Sequence, residues 1–539
     1  MRHIEQGSNA RRMTTVAMTF ALAPALVSPA SGQRFGRRFP ERVQESGWSS
    51  QRVTSNRGTF SVILDEDRHH KLKKARQHLA NGKYEAAIEY LLDVLNSAPS
   101  AVYGRGVGSF HGLRRAAREE LAKLNEEGRK VYHRLTRTEA RPRLEQGLVE
   151  RDAGGLSLVA RLYPHTRAGT RAGLAAGDLF LERGRVLRAL REFSFLRNGE
   201  TGHAVKSRVN LCRALLGLPV TDADLEPGLP LLDGQRTASD WRRLITKLRG
   251  LGHDASGYDE DFWPSFGGGM EGNRFASTPA DPFKWESRNQ IHVPSRVKQS
   301  LHAVSNGRKV FIATGTSLYA YDLLTHRTPT WFVESSVLDQ SDDFLSATNE
   351  SMVHSPALGR DLVVAPLQVP LVTDTASRRA VFNGIPIIVP LPVRRLFTFE
   401  AETGRLKWSH WEEAGALPGD LSGVPLDVSG PPLVVGDTIF IATHKQLGTI
   451  AFYVSAFDLE TGAHRWSSLL LSSQIEVNMF GNAHAEFAAS PLAYSNGRVY
   501  GCTNLGATFS VRADDGSIEW LQSYPIIRIP RARMLPQDR

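Results

Sequence analysis

The segment Ser490–Trp520, SPLAYSNGRVYGCTNLGATFSVRADDGSIEW, identifies the architecture of the second half of this chain. Around Val499, successive side chains alternate between the two sides of the chain, as they do in a strand with one buried side. A second strand, Thr508–Arg512, runs into Asp514-Asp515-Gly516, and glycine readily takes the positive φ of a tight hairpin turn. A third strand ends on Trp520. We therefore predict one small antiparallel sheet here.

The same order of strand, turn, strand, turn and closing tryptophan occurs three more times upstream. The copies are Asn306–Trp331, a copy divided between His354–Pro366 and Arg395–Trp408, and Gly430–Trp466. A repeat of about 40–50 residues made of short strands is typical of propeller blades, and inserted loops explain the longer spacings. We predict four blades.

The residue pattern of these repeats resembles a known family. Gly-Arg-Val-Tyr at 497–500, a threonine, a turn, an apolar–acidic pair, Thr-Gly and a tryptophan are similar to the PQQ-type (quinoprotein-like) β-propeller repeat, and Trp263–Gly268 resembles its lead-in segment. The resemblance covers about 259–524. It implies that each tryptophan docks its blade onto the neighbouring blade. Because the repeat builds both quinone-dependent alcohol dehydrogenases and BamB-type outer-membrane assembly propellers, it implies a fold rather than one chemistry.

The first half of the chain has helical periodicity. Ala80–Pro99 predicts a helix that buries Ala87, Ile88, Leu91, Val94 and Leu95, and Ala172–Leu196 predicts a second unit. Both are similar to tetratricopeptide (TPR) repeats. Helix pairs that each bury only part of their apolar surface must stack on one another. We therefore predict that residues 65–217 form a small TPR-like α-solenoid whose groove binds peptides or partner proteins. A purely structural spacer is the alternative.

The predicted division of the chain follows from these patterns. Arg11-Arg12 precedes the short apolar run Met13–Val27 and a small-residue stretch, which is the layout of a secretory signal. A tail behind a mistaken start codon is the alternative. The predicted segments are a signal peptide at 1–32, a linker at 33–64, the helical domain at 65–217, a hinge at 218–258, a partial PQQ-like propeller at 259–524 and a tail at 525–539.

Charge and cysteine content exclude some classes of function. The net charge is +10, with arginine concentrated on the helical patterns of the first two hundred residues. Such a face could attract nucleic acid or anionic lipid. We favour a solvated helical surface and predict no nucleic-acid partner. Cys212 and Cys502 are the two cysteines, so a disulfide framework is excluded.

The motifs for catalysis or cofactor binding are weak. Quinone-dependent dehydrogenases of the resembled family need an ion site, an acidic base and in many cases adjacent cysteines, and this chain has no adjacent pair. The weak candidates are Gly267–Gly269 without the following Gly-Lys of a phosphate loop, Asp222-x-Asp224-x-Glu226 without the rest of a calcium loop, and His484-x-Glu486 with His354 and His444. We therefore predict no catalytic residue, no cofactor site and no metal site.

An insertion divides the third of the four repeats as counted from the C-terminus. It contains two β-rich runs, Arg379–Phe382 and Ile385–Val389, which predict an extra hairpin over one propeller face. Loops of this kind often carry binding functions, and a hairpin that simply packs on its own blade is the alternative.

The sequence as a whole predicts an exported scaffold rather than an enzyme. Four blades are fewer than this family generally uses, so we expect an incomplete propeller, either a fragment of a longer product or one completed by a second chain. The predicted function is a non-catalytic, BamB-like, protein-binding scaffold of the bacterial periplasm or envelope, associated with the outer membrane through partners that bind the TPR-like groove or a propeller face. The alternatives are a quinone-dependent oxidoreductase and a ligand-sensing propeller.

Overall fold

A computed structural model describes most of the chain. The described residues are 51–54, 60–196, 202–216, 220, 229–231, 234–251, 262–272, 301–323, 328–334, 355–369, 379–382, 385–388, 393–410, 426–447, 449–474, 490–503 and 505–524. Within them, helices dominate the first part and antiparallel sheets the second, which confirms the predicted combination of a helical part and a partial propeller. The predicted signal peptide and C-terminal tail lie outside the described residues.

Short turns join α1 to α2 and connect each helix to the next from α3 to α7, whereas a two-stranded hairpin lies between α2 and α3. The helices are α1 Glu66–Ala80, α2 Tyr84–Leu95, α3 Leu113–Ala122, α4 Glu126–Val149, α5 Ala153–Leu162, α6 Arg167–Glu182, α7 Val186–Leu196, α8 Gly202–Leu215 and α9 Ala238–Leu251. Side-chain caps fix several starts; Asn125 accepts a hydrogen bond from Gly128 N, and Thr166 accepts one from Gly169 N. The buried face predicted for α2 is confirmed, since the five residues that were predicted to lie on it are all buried.

Four blades of four principal strands follow, and each corresponds to one predicted repeat. Blade 1 contains β8 Ala303–Asn306, β9 Lys309–Ala313, β10 Ser317–Asp322 and β11 Trp331–Glu334. Blade 2 contains β12 Ala357–Gly359, β13 Leu362–Val369, β16 Val393–Glu400 and β17 Leu406–Ser409.

Blade 3 contains β19 Leu433–Val435, β20 Thr438–Leu447, β21 Thr449–Asp458 and β22 His464–Gln474, with β18 Asp427–Val428 beside β20. Blade 4 contains β23 Ala493–Ser495, β24 Arg498–Thr503, β25 Ala507–Arg512 and β26 Ile518–Ser523.

The closing tryptophans dock each blade onto the next. The indole N–H of Trp408 in blade 2 donates to Leu459 O of blade 3 at 2.9 Å, and its ring lies on Gly462. Gly462 has a φ of +70°, and a Cβ there would lie 2.7 Å from the indole. The same donor and glycine contact recur at two other junctions: Trp331 with Ala401 O and Gly404, and Trp466 with Ala513 O and Gly516. The docking role implied by the repeat resemblance is confirmed at these junctions.

Strands that precede the helices or lie between α2 and α3 complete the outer edges of blades 3 and 4. The structure contains β1 Gln51–Thr54, β2 Ser61–Leu64, β3 Val102–Gly106 and β4 Ser109–Gly112. Strand β2 pairs with β22 and with β3, and β4 pairs with β26, so both blades join one thirteen-stranded sheet. The prediction missed the β3–β4 hairpin inside the helical range, because these short glycine-rich strands lack a clear period.

The remaining strands are short hairpins and the lead-in segment. They are β5 Leu229–Leu231 with β6 Gly234–Arg236, β14 Arg379–Phe382 with β15 Ile385–Ile388, and β7 Phe262–Trp263 beside β8. The predicted extra hairpin of blade 2 is thereby confirmed. Among the described residues no further strand pairs with the outer strands of blades 1 and 2, where Phe332 and Leu406 are exposed.

Candidate functional site

Of the metal candidates from the sequence, only His444 lies in the part of the chain that the structure describes. No group of three or more His, Cys, Asp or Glu residues suited to a metal ion occurs there. His444 is buried in β20 and makes a 2.5 Å hydrogen bond with Ser429 Oγ. His354, the His484–Glu486 pair and the Asp222–Glu226 segment lie outside the described residues.

The glycines at Gly267–Gly269 serve packing. A Cβ on Gly267 would lie 2.4 Å from Gly272 Cα, so glycine is required for the chain to fold back on itself. Ser265 Oγ donates to Gly269 O across the same turn at 3.1 Å. The close approach of Gly267 to Gly272 therefore gives a packing reason for the glycine at 267.

The lead-in segment, residues 262–272, connects the innermost strands of three blades. It pairs with β8 of blade 1, its Pro264 O accepts from Leu358 N of blade 2 at 2.7 Å, and its Met270 O accepts from Tyr494 N of blade 4 at 2.6 Å. The chain itself therefore satisfies these backbone groups on the inner side of the blades.

The first contact between helices and blades surrounds Asp437, in the turn that follows Gly436 in blade 3. Its carboxylate binds Arg185, just before α7, at 3.0 Å, Arg188 of α7 at 3.1 Å and Arg465 of β22 at 3.1 Å. Burial acts to raise the pKa of Asp437, but Arg188 and Arg465 outweigh it, so the pKa falls to about 2. Burial lowers the pKa of Arg188 to about 10.

The second contact surrounds Asp514 and Asp515, in the hairpin turn of blade 4. Asp514 binds Arg161 of α5 at 3.0 Å, Arg191 of α7 at 3.5 Å and Arg512 of its own blade at 3.2 Å. Burial acts to raise the pKa of Asp514, and these arginines outweigh it and hold the pKa below its ordinary value. The turn aspartates are therefore anchors for the helical layer.

Helix α3 extends this contact towards the end of blade 4. Arg114 donates to Asp515 at 3.4 Å and to Ser517 Oγ at 3.3 Å, and Arg118 donates to Glu519 at 3.3 Å. Burial lowers the pKa of Arg118 to about 10, and the nearby Arg512 contributes to that shift. A buried arginine of this kind keeps its charge at neutral pH.

A cleft of about 320 Å³ lies between the two layers, and we name it the junction cleft. Helices α2, α3 and α5 form one wall, and blades 3 and 4 form the other. Its polar lining is Arg114, Arg118, Arg161, Arg465, Asp514 and Asp515; its apolar lining is Leu95, Pro99, Leu158, Leu162 and Trp466, with Gly154 between them. Polar and apolar groups that converge in a concave site are typical of ligand binding.

The sequence-based interpretation of the arginine-rich helices as a solvated surface is wrong for this face. Arg191 is 8% exposed, and the side chains of Arg118 and Arg161 are each 11% exposed. One signal in the sequence was available, because Arg188 and Arg191 lie within five residues of the apolar Ala189 and Phe193, which are buried on α7. Arginines that share a buried helix face indicate carboxylates opposite them.

Comparisons with known proteins support the repeat assignment. Residues 284–530 match the family model described as outer membrane protein assembly factor BamB. No curated protein matches the chain. Residues 284–530 are therefore similar to BamB-type, PQQ-like repeats.

Solved structures with partial similarity include dehydrogenases as well as BamB. A quinohemoprotein alcohol dehydrogenase of Pseudomonas putida HK5 is 14% identical over 50% of this chain and 41% of its own, with a TM-score of 0.33. The corresponding enzyme of Comamonas testosteroni is 14% identical over 49% and 41%, with a TM-score of 0.32. BamB of Moraxella catarrhalis is 12% identical over 43% and 53%, with a TM-score of 0.23. This chain thus spans between 41% and 53% of the length of these proteins. Because the matches are only partial, they assign no activity to this chain.

Proposed function

From the BamB-type, PQQ-like repeats of residues 284–530, we propose that this protein is a non-catalytic, protein-binding scaffold of the bacterial periplasm or cell envelope. The proposal keeps the predicted division into signal peptide (1–32), helical domain (65–217) and partial propeller (259–524). A TPR-like groove or a propeller face binds the partner protein. No described helix is long and apolar enough to cross a membrane.

The observation that carries this proposal is the position of the lead-in segment. A quinone enzyme needs room among its blades for the cofactor and substrate. Here Pro264 and Met270 hydrogen bond to the inner strands of blades 2 and 4, so the chain uses these inner groups for its own structure. Exposed apolar side chains instead lie on the outside of the described structure, including Leu158 on α5 and Phe332 on β11.

The rival function, quinone-dependent oxidation of an alcohol, has a direct test. The purified full chain is incubated with pyrroloquinoline quinone and Ca²⁺, passed through a desalting column and examined for the visible absorbance of the quinone. We expect no quinone to be retained and no alcohol-dependent dye reduction. Retention of one equivalent of quinone with dye reduction would overturn the scaffold proposal.

Partner binding is tested by photo-crosslinking in the producing cell. A photoreactive residue at the exposed position Leu158, at the rim of the junction cleft, is expected to crosslink one defined envelope protein. The matched control is Val149, which is also exposed but does not line the cleft. Equal crosslinking from both positions would contradict a specific binding site, and recovery of the protein in the cytoplasmic fraction would contradict export.

A further inference from the structure

We propose that the junction cleft is an anion site that binds a carboxylate with an adjoining apolar group, such as the last residue of a partner protein or an acidic side chain beside a leucine. The chemistry of the cleft carries this inference. This inference deepens the proposed scaffold function. It rests on that function only in taking the carboxylate to come from a partner protein.

The first step is the balance of charge around the cleft. Four arginines and two carboxylates line the cleft, so its lining carries an excess of positive charge. The arginines are Arg114, Arg118, Arg161 and Arg465, and the carboxylates are Asp514 and Asp515. Further carboxylates pair with these arginines from outside the lining, namely Glu192, Glu519, Asp437 and Asp458, and Arg191 and Arg512 also bind Asp514. Buried charge of one sign favours a ligand of the other.

The second step is the unused capacity for hydrogen bonding. Arg161 lines the cleft, and its Nε is buried without an acceptor among the described residues. The Nε atoms of Arg191 and Arg512, which both pair with Asp514, are also buried without an acceptor in that part of the chain. Glu192 Oε2, on the carboxylate that pairs with Arg161, is buried there without a donor. A buried donor without an acceptor costs free energy, so an anion that reaches the Arg161 side of the cleft would gain interactions that the protein lacks.

The third step is size and polarity. A space of about 320 Å³ has room for roughly ten waters, and so for one amino-acid residue but not for a folded segment. Leu158 at its rim is 55% exposed, and Leu162 and Leu95 lie beside it. A ligand that joins one anionic group to one apolar group matches this arrangement, because the arginines meet the first and the leucines the second.

The direct test is calorimetric titration of the full-length protein at low ionic strength with N-acetyl-leucine. Its neutral counterpart N-acetyl-leucinamide has the same apolar group. We expect the acid to bind saturably at one site and the amide to bind at least tenfold more weakly. Equal binding of acid and amide would overturn the inference, and so would binding of inorganic phosphate without any binding of the acid.

Two variants locate the binding. Arg118→Gln removes positive charge from the cleft, and Leu158→Asp adds a repelling carboxylate at its rim; each is expected to weaken N-acetyl-leucine binding at least tenfold. Since Leu158 is exposed, the second variant keeps its fold, which circular dichroism checks. Val149→Asp is the matched control and should stay within twofold of the parent protein. Binding by Leu158→Asp at the parental affinity would contradict the assignment. The titration needs no partner protein, so its outcome is separable from the crosslinking result.

Discussion

At the scale of single residues, glycines at the blade junctions have two separate reasons to be glycine. Gly462 has a positive φ of +70° and also lies against Trp408, where a Cβ would come within 2.7 Å of the ring. Gly497 has a positive φ of +75°, but a Cβ added there would have no atom within 4 Å. Alanine substitutions at Gly462 and Gly497 therefore distinguish the cost of backbone strain from the cost of disturbed tryptophan docking.

We predict that Gly462→Ala destabilises the protein more than Gly497→Ala. The left-handed backbone costs both variants about 1–2 kcal/mol. Overpacking against Trp408 adds about 1–3 kcal/mol for Gly462→Ala. Urea midpoints for the two variants measure the difference. Equal midpoints would mean that Trp408 docking contributes little to stability.

The two cysteines should differ in reactivity. Cys212 is fully buried on α8, and burial raises the pKa of its thiol to about 12, whereas Cys502 in β24 is half-buried. The thiolate is the reactive form, so a disulfide reagent at about pH 8 should label Cys502 first and Cys212 only after denaturation. Cys502→Ser should abolish the early labelling; early labelling that persists in this variant would show that α8 opens.

At the scale of elements, the contact between β4 and β26 joins the helical part to blade 4. Strand β4 pairs with β26 through Phe110 and Leu521, and it ends at Gly112 just before α3. A Cβ on Gly112 would lie 1.7 Å from Ile518 O. No side chain fits there unless the two strands separate.

We predict that Gly112→Ala loosens this strand pair and destabilises the protein by about 1–3 kcal/mol. Gly104→Ala in β3 is the matched control, because nothing lies within 4 Å of its added Cβ. Hydrogen exchange of β26 should become faster in the first variant only. Unchanged exchange in Gly112→Ala would contradict the close approach of the two strands.

The turn at Asp437 should make stability depend on acid pH. Its pKa of about 2 in the folded protein lies below the ordinary value of 3.8. The carboxylate therefore contributes its full stabilisation above about pH 4 and loses it as the pH falls towards about 2, and the difference corresponds to about 2 kcal/mol.

We predict that Asp437→Asn lowers stability at neutral pH and flattens its decline between about pH 4 and about pH 2. The measurement is the urea midpoint against pH. Glu126→Gln, which removes an exposed pair with Lys130, is the control and should change the curve little. A parental slope in Asp437→Asn would place the acid sensitivity elsewhere.

At the scale of the whole molecule, the helical layer and blades 3 and 4 form one structural unit. They share a sheet through β2 and β4, and arginines of α3, α5 and α7 bind aspartates in the turns of both blades. Removal of one partner from a buried ion pair costs about 3–5 kcal/mol, because the other charge stays buried.

We predict that helices α5–α7 and strands β25–β26 open together in the parent protein. Hydrogen exchange should give the same free energy of opening for both regions. Asp514→Asn should lower that value for α5–α7 more than for β25–β26, whereas Glu126→Gln should leave both unchanged. Different values in the parent protein would mean that the two layers unfold separately.

Local sequence was sufficient to predict most of the elements and the order of the blades. Local periodicity and turn chemistry predict the α2 face, the Asp515-Gly516 turn and the extra hairpin at Arg379–Phe382. Both depend on neighbouring residues and not on the rest of the chain. The docking of Trp331, Trp408 and Trp466 followed from the resemblance of the repeat.

The way in which the two halves meet depends on the tertiary structure alone. Strand β4 pairs with β26, and Arg114 reaches Asp515 about 400 residues further along the chain. Helical periodicity places Arg161 and Arg191 each on one face of a helix. The periodicity does not depend on whether water or a carboxylate lies opposite that face, so it cannot distinguish the two. The junction cleft exists because two distant surfaces pack against each other, and neither surface contains it alone.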